Sequence, residues 1–196
     1  MLERAYQYVL GHGIADVSLR PLASAIGSSP RVLLFLFGSK EGLVRALLLR
    51  ARTDELALLE GVRAHNEDAD LLTVAGALWH WLADRRHRGL LTLWLESYAR
   101  SLIEPAGAWT QFSTQTVDDW LRLLAAAQPS RQRNRASAVA ERTLVLAILR
   151  GALLDLLATG DDQRTTAAVE LALQSLRTKC VTRQTRAERP QPIAGR

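Results

Sequence analysis

Three cations, Arg20, Arg31 and Lys40, fall at near-even intervals close to the N-terminus. Cations at the starts of successive helices pair well with phosphate oxygens, and an arginine within reach of a base edge can read it. Ser29 and Pro30 flank Arg31 at the same mouth, where helix N-termini would add backbone N–H donors aimed at an anion. Patterns for catalysis are missing. The histidines His12, His65, His80 and His87 lack metal-ligand spacing, because no cysteine or close acid pair joins His80 and His87. The run Gly38-Ser39-Lys40-Glu41-Gly42 lacks the glycine spacing of a phosphate loop, and no G-x-S-x-G elbow occurs. The single cysteine, Cys180, rules out an internal disulfide framework and suits a reducing compartment. These residues describe a binding protein that needs no cofactor or metal, rather than an enzyme.

The segment that must position the cations runs from Ser18 to Leu43. Ser18 reads as an N-cap, and Leu19, Leu22, Ala23 and Ile26 lie at helical spacing on one face. Gly27 suits a tight turn. Ser29 then caps a second short helix with Pro30 at its first position, where a missing N–H costs nothing. Leu33 and Phe37 can pack on the first helix, and Gly38 ends the second. Ser39 caps the next, with Glu41 in its first turn, where a negative charge is favoured. Two short helices joined by a tight turn are the layout of a helix-turn-helix DNA reader.

The run LASAIGSSPRVLLFLFGSKEGLV, from Leu22 to Val44, resembles the DNA-binding signature of TetR-family transcriptional regulators. Leu22, Ala23, Gly27, Ser29, Leu33, Phe37, Ser39, Lys40, Glu41 and Leu43 match that signature. Leu34 stands where the family usually has a phosphate-contacting tyrosine, and Leu36 where a histidine or tyrosine is usual. The resemblance implies an all-α fold with an N-terminal three-helix reading domain over residues 1–45. A helical ligand-binding and dimerisation domain would follow over 46–180, and then a basic, disordered tail over 181–196. It also implies a homodimer on a palindromic double-stranded DNA operator, released by a small-molecule effector. The candidate DNA-facing residues are Arg20, Ser29, Pro30, Arg31, Leu34, Phe35 and Lys40. With Leu33 and Phe37 turned inward, some of Leu34, Phe35 and Leu36 must face out. Three readings stay open for them: altered sequence preference through thymine methyls, a degenerate reader, or a protein-binding patch.

The chain has 196 residues, 48% hydrophobic and 23% charged, as expected of a folded globular protein. Its net charge of +5 is uneven: +3 over residues 1–54, −3 over 55–176 and +5 over 177–196. A basic end on a near-neutral body suits a polyanion. The most apolar run, Leu144 to Ala158, is too short to cross a membrane and carries Arg150 and Asp155. Glu3 and Arg4 come almost at once, unlike a signal peptide. The expectation is a cytoplasmic protein with no membrane role.

Helical periodicity predicts about nine helices and no strand. The first is Leu2 to Leu10, and Ser39 to Ala64 forms the connecting helix. A polar break follows at His65 to Asp68. Leu71 to Asp84, Leu90 to Ile103, Trp109 to Ala127, Ala136 to Ala158 and Thr165 to Lys179 complete the body. All the tryptophans lie in this body. Trp79, Trp94, Glu96, Tyr98, Trp109, Phe112 and Trp120 are the candidate lining of a pocket for a flat or greasy molecule, with Glu96 favouring a cation if it points inward. The helix Ala136 to Ala158 is apolar all round and must be buried on every side. Leu144, Ile148, Gly151, Ala152, Leu173 and Leu176 on the last two helices are the candidate contacts with a second copy, as the resemblance implies.

Overall fold

The computed structural model describes residues 1–14, 17–65 and 69–187, with only the helical backbone of 179–187. The break expected at residues 66–68, and residues 188–196 of the expected tail, lie outside the described residues. Within them, nine α-helices follow one another. The first four are α1 (Leu2–His12), α2 (Leu19–Ala25), α3 (Pro30–Phe37) and α4 (Lys40–His65). The body helices are α5 (Leu71–Ala83), α6 (Arg88–Ile103), α7 (Phe112–Ala126), α8 (Ala136–Thr159) and α9 (Asp162–Ala187).

Local chemistry sets the boundaries of the first four. Gly27, at φ 68°, turns the chain between α2 and α3. The Ser29 hydroxyl accepts from the Val32 N–H at 3.3 Å with Pro30 at the first helical position, and the Ser39 hydroxyl accepts from the Gly42 N–H at 2.9 Å. A β-carbon on Gly42 would lie 2.0 Å from the Phe37 carbonyl oxygen, so the corner between α3 and α4 closes only over glycine. Ser18 precedes α2 in an extended conformation but makes no side-chain capping bond, contrary to its expected role.

Ala5, Tyr6, Val9, Leu22, Ala23, Leu33, Leu43 and Leu47 bury one another in a first core. That core is completed from the body by Leu93 of α6 and Phe112 of α7. The Tyr6 hydroxyl donates to Asp54 at 2.8 Å, and Arg50, which pairs with Glu3 and Asp54, lies 4.7 Å over the Tyr6 ring. Burial, and then the Asp54 carboxylate, push the Tyr6 phenol well above its ordinary range. Helix α1 is thereby fastened along α4.

A second core joins α4, α5, α7, α8 and α9 around Leu59, Leu78, Trp79, Leu124, Leu149 and Leu156. The Asp70 side chain caps α5 by accepting from the Thr73 N–H at 2.7 Å, and Arg177 of α9 donates to the Thr73 hydroxyl at 2.8 Å. Three helix ends differ from expectation. Residues 85–87, between the two expected helices, form a 3-10 turn opened by Asp84, which accepts from the Arg86 N–H, and α6 follows directly at Arg88 rather than Leu90. The Arg86 guanidinium beside Asp84 holds its carboxyl down at about 2. Helix α7 begins at Phe112 rather than Trp109, because Gln111 takes a left-handed φ of 62°. Helix α9 begins at Asp162, where Asp161 accepts from the Arg164 N–H, and runs on to Ala187.

Helix α8 corrects the expectation of burial on every side. Leu144 and Leu154 are half exposed, and Ala140, Ala147, Gly151 and Ala158 stand open beside them. The spacing of four, three, four, three and four residues makes this a single stripe along the helix.

Candidate nucleic-acid interface and aromatic cavity

Helix α3 turns Leu33 fully into the first core and half-buries Phe37. Its remaining surface carries Arg31, Val32, Leu34, Phe35 and Leu36, all exposed, with Phe35 86% accessible. Arg20 on α2 and Lys40 at the start of α4 are also exposed, as is Ser29, whereas Pro30 is half-buried. Arg45 and Arg50 are spoken for by Glu41 and by Glu3 and Asp54. The outer face of α3 is therefore one cation among four apolar side chains. It can meet a phosphate or base edge at Arg31 and apolar groups, such as methyls, elsewhere.

The middle of the chain holds an apolar cavity. Its walls include Ala51, Glu55 and Leu58 of α4, Trp81 and Leu82 of α5, Trp94 of α6, Phe112 and Trp120 of α7, and Leu149, Arg150 and Leu153 of α8. Its free volume is about 30 Å³, room for about one water molecule. Arg52 and Phe112 line both this cavity and an outer cleft of about 390 Å³ between α4 and the start of α7.

Three charged groups line the cavity. Glu55, only 6% exposed, accepts from the Trp120 indole N–H at 2.6 Å. Burial pushes its carboxyl upward, reinforced by the Asp119 carboxylate and opposed by the Trp120 N–H, Arg52 and Arg150. Arg150 lies 5.6 Å over the Trp94 ring and 5.2 Å over Tyr98, and burial lowers the guanidinium's affinity for its proton. Arg52 is neutralised by Asp119 at 2.6 Å.

Glu55 makes stability depend on pH. Its folded-state proton is held more tightly than at the ordinary value of 4.5. Its contribution is therefore complete below that pH and is lost as pH rises through the higher folded value. Glu55→Gln keeps the acceptor for Trp120 and is expected to flatten this decline. Melting curves of both proteins from pH 5 to pH 8 check it, and equal slopes would contradict the account.

Of the expected pocket residues, Trp94, Phe112 and Trp120 line the cavity. Trp79 does not: it is 1% exposed in the second core, and its indole donates to the Thr166 hydroxyl at 3.0 Å. Glu96 faces the first core instead, where its carboxylate accepts from the Ile14 N–H at 2.7 Å. Trp109 packs against the first core, and Tyr98 stands outside the wall, meeting the site through Arg150 and through the Trp94 ring at 5.3 Å. Sequence reasoning missed Glu55, Arg52 and Arg150. Glu55 lies between Ala51 and Leu59 on the apolar stripe of α4, and a carboxylate at such a position is a usable signal.

Among the residues expected to meet a second copy, Leu144 is half exposed and Gly151 is open, with nothing near where a β-carbon would lie. Ile148, Ala152 and Leu176 are half-buried against the second core, and Leu173, 7% exposed, is part of it. Side chains turned into their own core present little to a neighbour, and Leu154 and Leu171, the latter 67% exposed, join Leu144 and Gly151 as outward residues of these helices. No group of histidine, cysteine and acidic side chains among the described residues could hold a metal ion, and no helix there is long and apolar enough to cross a membrane.

No family model and no curated protein sequence matches the chain. Solved structures do. The chain is similar to GusR of Salmonella enterica at 19% identity and a TM-score of 0.63, over 89% of this chain and 92% of that one. It is similar to a TetR transcription regulator of Haloarcula marismortui at 18% identity and a TM-score of 0.63, covering 88% and 92%. A third likeness is to the multidrug binding protein EbrR complexed with imidazole, at 23% identity and a TM-score of 0.58, covering 86% and 85%. These likenesses run through both the helix-turn-helix and the helical body, and the chain has the fold of the TetR-family regulators.

Proposed function

We propose that this chain is a ligand-responsive transcriptional regulator, a cytoplasmic repressor that binds a palindromic operator as a homodimer and is released by a small molecule. Residues 1–45 act as the reading head, 46–180 as the effector and dimerisation domain, and 181–196 as a basic tail. The observation that carries this is the exposure of Arg31 in the first turn of the capped helix α3, with Arg20 exposed on α2 and Lys40 exposed at the start of α4, on a fold shared with solved regulators. Release follows from the walls of the cavity. Its free volume of about 30 Å³ is far below that of a ligand site, so an effector must part α4 from α7 and α8. It shifts the equilibrium by as much as it prefers that parted state. The exposed stripe Leu144, Ala147, Gly151 and Leu154 supports pairing of α8 with a second copy.

A second reading is favoured by Val32, Leu34, Phe35 and Leu36. An exposed apolar helix face is a common protein contact, and here it would belong to a dimeric binding module whose head no longer reads DNA. A gel shift of the purified protein on DNA upstream of its own gene, at low and moderate salt, separates the two. A specific shift that weakens with salt supports the regulator. Absence of any shift there and in selection from random DNA supports the binding module.

Leu34→Tyr restores a hydroxyl at the exposed position where the family pattern has one. It is expected to tighten operator binding about tenfold, from one added phosphate contact in each of two heads. Unchanged affinity would mean that Leu34 is there for another contact.

A further inference from the structure

Of the buried side-chain polar atoms without a hydrogen-bond partner among the described residues, four belong to residues that line the tryptophan cavity. Nε and Nη2 of Arg150, Nε1 of Trp94 and Nη1 of Arg52 are buried and have no hydrogen-bond partner. All three residues line the cavity, and all four atoms are donors. Nε and Nη2 are the two nitrogens on one edge of the guanidinium, whose parallel N–H bonds match the two oxygens of a carboxylate. The third nitrogen, Nη1, reaches only the Tyr98 hydroxyl at 3.5 Å.

Charge points the same way. Arg52 is balanced by Asp119 at 2.6 Å. Glu55, the one carboxyl among the lining residues, is engaged by the Trp120 N–H at 2.6 Å, and burial favours its neutral form. Arg150 makes no salt bridge with a described residue, so its guanidinium has no carboxylate at contact distance, and Glu55 acts on it only through space. The rest of the wall is aromatic and aliphatic, with Trp81, Trp94, Trp120 and Phe112 supplying flat faces.

We propose that the effector is an aromatic monocarboxylate, its carboxylate forked onto Nε and Nη2 of Arg150 and its ring against the cavity's indoles. This rests on the effector-binding reading above and narrows it to one chemical class. A buried guanidinium with free donors is costly in the closed cavity. An acceptor that enters removes that cost, which gives a carboxylate the preference for the opened state that release of DNA requires. A single ring needs a cavity of about 150 Å³, so binding and opening are one event.

The test is calorimetric titration of the full chain with three matched probes: 1-naphthoate, 1-naphthylmethanol and 1-naphthylmethylammonium. The carboxylate is expected to bind about ten- to a hundredfold more tightly than the other two. Arg150→Met, which keeps the aliphatic stem, is expected to erase that advantage and leave the alcohol unchanged. If the ammonium or the alcohol binds best, the carboxylate class is wrong while the effector cavity stands. If none of the three binds, the cavity reading itself falls. The ranking on the unmodified chain decides the class even if Arg150→Met fails to fold.

Discussion

Alanine at Arg31 is expected to abolish specific operator binding while leaving helical content and oligomeric state unchanged. Arg31 is the only cation on the outer face of α3, where it lies in the first turn, exposed. An arginine that reads a base edge contributes about 1–3 kcal/mol, and a two-fold reader has it twice. The loss is therefore about thirtyfold to ten-thousandfold in affinity. Removing a solvent-facing side chain should change stability by no more than about 0.5 kcal/mol. If Arg31 also sits near phosphates, the slope of log affinity against log salt becomes shallower by about two for the dimer. Gel shift across a salt series together with circular dichroism reads all of this. Full operator affinity in the variant would move the reading surface off α3.

Trp79→Ala is expected to be the most damaging single change to stability. The side chain is 1% exposed at the centre of the second core, and its indole ties α5 to Thr166 of α9. Emptying such a site costs about 3–5 kcal/mol through lost burial and the void left behind. For a chain of this size that lowers the melting temperature by roughly 6–20 °C. Calorimetric melting measures it. A cost below about 1 kcal/mol would mean that α5 and α9 are not held together as described. The result would also separate Trp79 from Trp94 and Trp120: the first supports the fold, and the other two line the cavity.

The helix-turn-helix was the most legible part of the sequence, because its boundaries are set by residues that act locally. Gly27, the Ser29-Pro30 pair and Ser39 each fix a turn or a cap through their own chemistry, and no distant neighbour is needed to interpret them. The cavity depends on long-range contact and was harder to see. Glu55 and Arg150 come to it from α4 and α8. In the sequence one is an acid in a long amphipathic helix, and the other interrupts an apolar run. The aromatic residues cluster along the chain, yet their directions diverge. Trp79 points into the core, Trp109 toward the first four helices, and Trp120 into the cavity. Glu96, expected to favour a cationic ligand if it pointed inward, instead accepts from the backbone of Ile14. The apolar composition of α8 overstates its burial, because composition records how apolar a helix is, not which neighbours one chain can supply.

The unbroken course of α4 has a mechanical consequence. Its 26 residues span about 39 Å. One end carries Leu43 and Leu47 in the first core, and the middle carries Ala51, Glu55 and Leu58 in the cavity wall. A stiff rod loaded at an interior point magnifies motion at its far tip in proportion to the two arms. With the His65 end as fulcrum, an outward push of about 1 Å at Glu55 becomes about 2.5 Å at Lys40. The gearing comes from position along the helix alone, so a side chain that bulges into the cavity nearer His65 would be amplified more, and one nearer Ala51 less.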